Sequence, residues 1–121
     1  VDDFLYYPYA CNILASCCST EDGDNDRMVL YYLIDALIER AAKFIAINLT
    51  AVLLKTGKGT TPCAPVCITV DGSTFYKSKL LRSKLEYYIK EFTNDKKQVY
   101  CEFAKAENST LIGTAIAGLI N

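Results

Sequence analysis

The sequence predicts an α/β fold in which helices cover short parallel strands. Two segments, residues 66–70 and 98–104, combine β-branched or alternating apolar residues in the manner of strands. A helical pattern lies between them, and strands joined through a helix pair in parallel. A long helical pattern precedes the first strand and an apolar one follows the second. The predicted order is therefore helix, strand, turn, helix, strand, loop and helix.

Composition narrows the classes of function. The chain has 121 residues, 51% of them apolar and 22% charged, which fits one globular domain or part of one. Thirteen basic and fourteen acidic side chains leave a net charge of −1, which provides no general attraction to nucleic acid or to an anionic membrane. The chain has no histidine, so Ser-His-Asp and Cys-His catalytic devices are excluded.

An acidic arm forms the beginning of the chain. Residues 1–26 carry six acidic side chains and no basic one, which suits either a cation site or a solvated face. The run from Asp22 to Asp26 lacks the spacing and the closing glutamate of a calcium loop. It suits a helix start better, with Asp24 or Asn25 as the capping residue.

A long helix is predicted over residues 28–55, where no proline or glycine interrupts the apolar pattern, and Gly57 should end it. Its charged side chains, among them the i,i+4 pair Glu39 and Lys43, argue against a membrane span. Residues 41–54 are apolar on almost every side. Such a helix needs cover on most faces, so we expect a fragment of a larger protein or one half of an interface.

The next region begins with a loop closed by Pro62 and Pro65 and continues into the strand 66–70. The turn Asp71-Gly72-Ser73 follows, and Thr-Phe-Tyr at 74–76 predicts a second short strand. Residues 79–92 then show apolar positions at helical spacing. Seven basic side chains between residues 77 and 97 indicate either a solvated helix face or a rim that attracts phosphate.

The last part of the chain is predicted to be a strand at 98–104, a loop at 105–109 and a helix at 110–120. That helix has no polar face and contains several small residues. We therefore expect it to be buried and packed closely against a strand.

Six cysteines leave two alternatives open. Cys11, Cys17, Cys18, Cys63, Cys67 and Cys101 are either free, mostly buried thiols in a reducing compartment or three disulfides of a secreted binding module. Asn48 and Asn108 begin formal glycosylation sequons, but Asn48 falls inside the predicted helix. The spacing of Cys63 and Cys67 is not that of a usual metal knuckle.

Two loops are candidates for an anion site, because each leaves a strand and enters a helix. They are Asp71-Gly72-Ser73 and Glu107-Asn108-Ser109-Thr110. Ligands of open α/β sheets bind beyond the carboxyl ends of the strands, so both loops can face one nucleotide. The segment 56–60 is rejected as a phosphate loop because it follows a helix and lacks the upstream glycine.

Three motifs together resemble the C-terminal part of a eukaryotic-type hexokinase. They are Glu39-Arg-Ala-Ala42 in the long helix, Ile68-Thr-Val-Asp-Gly-Ser73 at the end of a strand, and Ala106-Glu-Asn-Ser-Thr110 before Gly113-Thr-Ala-Ile-Ala-Gly-Leu119. Their order and separation fit that family from about residue 24 to the end.

The resemblance implies an actin-like ATPase (ribonuclease H-like) fold, with this chain as the C-terminal portion of the large lobe. Its parts would be the acidic arm 1–26, the long helix 27–56 and a nucleotide-side unit 66–121. The implied ATP-binding residues are Asp71, Gly72, Ser73, Asn108, Ser109 and Thr110. The second loop departs from the family's Asp-Gly-Ser-Gly, since Ser109 and Leu111 replace both glycines.

The resemblance also implies what this segment lacks. The family's aspartate base and its sugar-binding residues lie upstream, so the segment alone should be inactive. The complete protein would be a cytoplasmic enzyme of glycolysis that uses ATP and Mg²⁺ to phosphorylate the 6-hydroxyl of glucose or a similar hexose. The alternative is a non-catalytic hexokinase-like protein that regulates or senses sugar.

Overall fold

We obtained a computed structural model that describes residues 1–19, 21–105 and 108–120. Five α-helices, one 3₁₀ turn, one π-helical segment and two strands make up these residues. In chain order they are α1 (Asp2–Tyr6), the 3₁₀ turn (Ala15–Cys17), α2 (Gly23–Thr56), β1 (Val66–Val70), α3 (Ser73–Lys77), α4 (Lys79–Ile89), the π segment (Lys90–Asp95), β2 (Cys101–Lys105) and α5 (Ser109–Ile120).

The two strands form a parallel sheet, as the sequence predicted. Their register runs from Val66 opposite Cys101 to Val70 opposite Lys105. Alternate side chains of β1 are exposed, so one face of the sheet packs on the helices and the other does not. The combination of helices with a parallel pair is an α/β arrangement.

Helix α2 dominates the fold. It has 34 residues and is about 50 Å long at 1.5 Å per residue. The prediction that Gly57 ends it is confirmed, because Gly57 adopts a left-handed φ of 65° and its N–H donates to the Leu53 carbonyl. Within the described residues, no helix combines the length and the apolar character that a membrane crossing requires.

The start of α2 differs from the prediction. The helix begins at Gly23, so Asp22 is the capping residue, and its side chain makes no capping hydrogen bond. Asp24 and Asn25, which we expected to cap the helix, lie within the first turn instead. The carboxylates of Asp24 and Asp26 in that turn are still stabilised by the positive end of the helix dipole.

The main core lies where α2 crosses α4. Ala42 and Ala46 of α2 are fully buried beside Leu85 and Ile89 of α4. Two alanines at i,i+4 present a flat stripe, which allows the helices to approach closely. Phe103 of β2 packs against the same cluster, so this core also supports the sheet.

A second, smaller core fixes the beginning of the chain. Phe4 is fully buried, and Leu5 and Ala15 are nearly so. Partly buried apolar side chains of α2 pack against them, together with Leu80 of α4. Helix α1 is therefore attached to both α2 and α4.

The second short strand expected at 74–76 is wrong, because these residues lie in helix α3. A helical turn lets the Phe75 ring pack 5.5 Å from the ring of Phe103, and it lets the Tyr76 hydroxyl donate to the Val70 carbonyl at 2.9 Å. These contacts with β1 and β2 outweigh the local strand propensity of Thr-Phe-Tyr.

The helix expected over 79–92 ends its α-helical part at Ile89 and continues as the π segment. Thr93 of that segment is fully buried, and its hydroxyl donates to the Ile89 carbonyl at 2.7 Å. The last strand begins at Cys101, three residues later than expected. Gln98, which we had placed in the strand, adopts a left-handed φ of 53°.

Helix α5 forms as predicted, but the expectation that it is buried is wrong for the described side chains, all of which are exposed. Leu119, for example, is 86% exposed. The short helices and two strands that remain supply too little apolar surface to cover both α5 and the outer face of α2.

All six cysteines are free, and the expectation that most are buried is wrong. Cys11, Cys17, Cys63 and Cys67 are exposed, while Cys18 and Cys101 are intermediate. Cys67 is exposed because it alternates with inward-facing residues of β1 and so lies on the uncovered face of the sheet.

Candidate functional site

The first candidate loop turns sharply between β1 and α3. Asp71 follows the last residue of β1, Gly72 has a φ of 126°, and Ser73 is the first residue of α3. A φ of 126° is open to glycine and strained for other residues, so Gly72 is what permits the turn. All three residues are exposed, which leaves the loop accessible to a ligand.

Contacts from α3 hold this loop against the sheet. The Tyr76 hydroxyl donates to the Val70 carbonyl at 2.9 Å, and its ring stands edge-on to the Phe75 ring at 5.2 Å. The ammonium of Lys105, the last residue of β2, lies 5.8 Å from the centre of the Tyr76 ring. Tyr76 therefore connects the ends of both strands to the helix that begins with Ser73.

The second candidate loop leads into α5. Asn108 has a left-handed φ of 55°, and its carbonyl accepts the N–H of Ile112 at 3.0 Å, which closes the first turn of the helix. Ser109 and Thr110 are the first two residues of α5, and Thr110 is exposed. Glu107, the first residue of this candidate loop, and the preceding residue 106 lie outside the described residues.

The parallel register brings the ends of the two strands that precede the loops side by side. Val70 and Lys105 are register partners and are also the last residues of their strands. Neighbouring strands lie about 4.8 Å apart, so both loops leave the sheet at one edge. This edge is the carboxyl end of a parallel sheet, where α/β folds bind ligands.

An apolar cavity of about 400 Å³ opens beside the first loop. It lies between α2, the covered face of the sheet and α4, and Asp71, Gly72 and Thr74 supply its polar side. Apolar walls with a polar rim suit an aromatic or aliphatic group attached to a polar one. The apolar lining residues are Ile45, Leu49, Ile68, Val70, Phe75, Leu81, Leu85 and Phe103.

Some basic side chains after the first loop form ion pairs with acidic residues of helices, and one lies near the loop. Lys84 binds Glu39 at 2.7 Å and Asp35 at 3.1 Å, which raises the pKa of Lys84 and lowers that of Glu39. Arg82 binds Glu86 at 2.7 Å, and this contact raises the pKa of Arg82. These cations therefore stabilise helices. Lys77 lies at the end of α3, nearer to the loop.

The acidic run before α2 forms local hydrogen bonds. The Asp26 carboxylate accepts the N–H of Ser19 at 2.7 Å, which lowers the pKa of Asp26. The Asn25 amide donates to the Asp22 carboxylate at 3.2 Å. Among the residues that the structure describes, no group of three or more Cys, Asp or Glu side chains is arranged to hold a metal ion.

The segment 56–60, which we rejected as a phosphate loop, connects α2 to the sheet. The Gly59 carbonyl accepts the N–H of Tyr100 at 2.8 Å, and the Val66 N–H donates to the Tyr100 carbonyl at 2.9 Å. A Cβ atom on Gly59 would lie 2.5 Å from that carbonyl oxygen. This glycine therefore serves a close backbone contact.

Sequence reasoning missed a long-range contact close to the first loop. Asp2 and Ser78 meet at the start of α4, where the Ser78 hydroxyl donates to the Asp2 carboxylate at 2.9 Å. Ser78 followed by apolar helical residues is a recognisable capping signal. A contact between residues 76 positions apart leaves no local signal.

Comparison with known protein families finds one family that matches nearly the whole chain. Residues 6–120 match the family model described as hexokinase. Neither a search of curated proteins nor a search of solved structures found a significant match. The family match covers almost the full chain, including both candidate loops and the sheet between them. The chain belongs to the hexokinase family.

Proposed function

We propose that this chain is the nucleotide-side segment of an ATP-dependent hexokinase with an actin-like fold. The complete cytoplasmic enzyme would transfer the γ-phosphoryl group of ATP to the 6-hydroxyl of glucose or a similar hexose, the first step of glycolysis. The observation that carries the proposal is the hexokinase match over residues 6–120. The common edge from which both candidate loops leave the sheet supports the nucleotide role.

In this proposal both loops face one nucleotide. Backbone amides at the starts of α3 and α5 and the hydroxyls of Ser73 and Thr110 orient the phosphates or the ribose. Asp71, Gly72, Asn108 and Ser109 complete this contact surface. Phosphoryl transfer depends on positioning and on stabilisation of charge, which such donors supply.

The rest of the chemistry belongs to other parts of the enzyme. Mg²⁺ would neutralise charge on the phosphates and would be held mainly by residues outside this segment. The general base and the groups that bind the sugar would also come from there. In this proposal the chain contributes a nucleotide-binding surface, and the catalytic base comes from another part of the enzyme.

The altered second loop is compatible with nucleotide binding. Ser109 and Leu111 replace the family's glycines, yet both lie within the helical turns of α5, a conformation that any residue adopts. Asn108 occupies the left-handed position, which asparagine tolerates better than most residues. The replacements therefore affect the space around the nucleotide more than the backbone.

That reduced space favours a second candidate function, a non-catalytic hexokinase-like protein that senses or regulates sugar. In the family, the two glycines at these positions allow the nucleotide to approach the backbone closely, and replacing them with Ser109 and Leu111 adds Cβ atoms there. In this alternative, sugar binding by the complete protein would persist without phosphoryl transfer.

Coupled measurement of ADP production and sugar binding separates the two functions. The complete protein that carries this segment is mixed with glucose and Mg-ATP, and glucose binding is measured by calorimetry. We expect ADP release that depends on glucose. Glucose binding without ADP release would support the non-catalytic alternative and contradict the enzyme.

A substitution in the first loop tests the nucleotide role. Ser73→Tyr places a large ring at the start of α3, where the phosphates or ribose would lie. We therefore expect the KM for ATP to rise by about tenfold or more, which corresponds to the loss of one or two good hydrogen bonds. The KM for glucose should change by less than about twofold. Initial-rate kinetics with each substrate varied separately measure both values.

Ser83→Tyr is the matched control for this experiment, because Ser83 is also exposed but lies on α4 away from the loop. It should leave both KM values near those of the unmodified enzyme. Equal rises in both KM values for Ser73→Tyr would contradict the assigned role of Ser73.

A further inference from the structure

A single residue joins α3 to α4 and sets the angle between them. The Ser78 N–H donates to the Thr74 carbonyl at 3.0 Å and ends α3, while the Ser78 hydroxyl accepts the N–H of Leu81 at 3.3 Å and caps α4. With no other residue in the connection, the backbone angles of Ser78 (φ −92°, ψ 99°) set how α3 projects from α4, and its hydrogen bonds hold those angles.

Asp2, near the beginning of the chain, binds this one-residue connection, which we call the Ser78 hinge. One carboxylate oxygen accepts the Ser78 hydroxyl at 2.9 Å, and the other accepts the Leu80 N–H at 3.3 Å. A carboxylate at this place satisfies exposed N–H groups of α4 and is favoured by the positive end of the helix dipole. The Ser78 hydroxyl, which donates to Asp2 and accepts from Leu81, joins the carboxylate to the helix.

Helix α1 gives Asp2 a fixed position. Phe4 is fully buried and Leu5 is 8% exposed, and both belong to the core that includes Leu80. The apolar contacts and the carboxylate contacts therefore connect α1 to the same turn of α4. A carboxylate held on a packed helix loses little further conformational freedom when it binds the hinge.

The same contacts reach the first candidate loop. Asp2, Asp3, Ser78, Ser73, Thr74 and Lys77 line one cleft of about 410 Å³, so Asp2 faces the helix that begins with Ser73. At the other side of α3, Tyr76 donates to the end of β1. Helix α3 is thus fixed at the sheet through Tyr76 and at the hinge through Ser78.

We propose that Asp2 is a positioning residue for nucleotide binding, which acts by holding the Ser78 hinge and thereby the orientation of Ser73. This inference rests on the proposed function, since it assigns Ser73 to the nucleotide. Asp2 does not touch the nucleotide in this account. Without its carboxylate, α3 samples several orientations, and only a fraction of them present Ser73 correctly to ATP.

The test uses the complete enzyme with Asp2→Ala. Loss of the two hydrogen bonds should raise the KM for ATP by about fivefold or more, since one lost charge-assisted bond is worth a factor of that order. The KM for glucose should stay within about twofold. Asp24→Ala is the matched control, because Asp24 is an exposed acidic residue in the first turn of another helix, α2, and does not line this cleft; it should leave the KM for ATP unchanged.

Variants of the hinge identify the route by which Asp2 acts. Ser78→Ala should raise the KM for ATP, and the double variant with Asp2→Ala should raise it no more than the larger single effect, because both remove one connection. Ser78→Thr keeps the hydroxyl and should restore most of the affinity. Asp2→Asn keeps the shape and loses the charge, so it should give an intermediate KM even if Asp2→Ala does not fold.

The outcomes separate this inference from the proposed function. If Asp2→Ala or Asp2→Asn lowers the melting temperature and leaves the KM for ATP unchanged, Asp2 is a structural cap only and the inference is overturned. Multiplicative effects of Asp2→Ala and Ser78→Ala on the KM for ATP would also overturn it. If Ser73→Tyr has no effect on the KM for ATP, the proposed nucleotide role of the loop itself is wrong.

Discussion

Gly59 shows how a single residue decides the connection between the long helix and the sheet. Its φ of 77° lies in the left-handed region, and its carbonyl accepts the Tyr100 N–H at 2.8 Å. A side chain at this position would be strained by the backbone conformation and would also meet the Tyr100 carbonyl oxygen. The residue is required for packing, although its sequence context superficially resembles a phosphate loop.

We expect Gly59→Ala to lower the free energy of unfolding by about 2–4 kcal/mol, from left-handed strain together with the displaced Tyr100. Gly23→Ala is the control, because it lies in the first turn of α2 with no atom near its added Cβ, and it should be neutral or slightly stabilising. Denaturant unfolding of the complete protein measures both. Equal effects of the two variants would contradict the close contact assigned to Gly59.

The packing of α4 against α2 combines apolar and ionic contacts. Ala42 and Ala46 allow close approach, and at the edge of this contact Lys84 of α4 binds both Asp35 and Glu39 of α2. The Lys84 side chain is 25% exposed, so water screens the pairs less than it screens an ion pair on an open surface. The ionic contact fixes the register between two helices that the alanine stripe alone would leave free to slide.

We expect Lys84→Met to lower the free energy of unfolding by roughly 1 kcal/mol at neutral pH, because it removes the cation shared by Asp35 and Glu39 and leaves Glu39 with Lys43 alone. Arg82→Met, which removes an exposed pair within one helix, should cost less than about 0.5 kcal/mol. Urea unfolding of the complete protein at constant salt measures the difference. A larger loss for Arg82→Met would contradict the role of Lys84 between the helices.

The pH dependence of the Lys84 effect has a definite sign. The pKa of Glu39 in the folded protein is lowered from 4.5 mainly by its hydrogen bond with Lys84, so its contribution is present above pH 4.5 and is lost as the pH falls through the folded pKa. The pKa of Lys84 is raised from 10.5, so its contribution is lost only as the pH rises beyond that value. The stability difference between the unmodified protein and Lys84→Met should therefore shrink on acidification.

For the molecule as a whole, the main feature is apolar surface that the described residues leave uncovered. The outer side of α2 exposes Phe44, Ile47 and Val52 by more than half, and α5 exposes Leu119 and Ile120 almost completely. Exposed apolar side chains in such number on two helices are typical of surfaces that another part of a protein covers. This exposure agrees with the expectation from residues 41–54 that the helix needs cover from outside the segment.

We expect the isolated 121-residue chain to fold poorly and to show no phosphorylation of glucose, because its long helices lack cover and the catalytic base is expected elsewhere. Differential scanning calorimetry and a coupled ADP assay on the purified segment measure both properties. A cooperative melt together with ATP turnover that depends on glucose would contradict this prediction.

The sequence by itself determined the parallel strand order, the end of α2 at Gly57, and the family, because each depends on local pattern or on motifs that stay contiguous in the chain. It also located the two candidate loops, since strand-to-helix turns have local signals at Gly72 and Asn108. Only the tertiary structure decided that residues 74–76 are helical, that the Gly59 carbonyl accepts a hydrogen bond from Tyr100, and that Asp2 binds Ser78. These features depend on contacts between residues distant in sequence, whose free energies exceed local propensity and leave no pattern in the neighbouring residues.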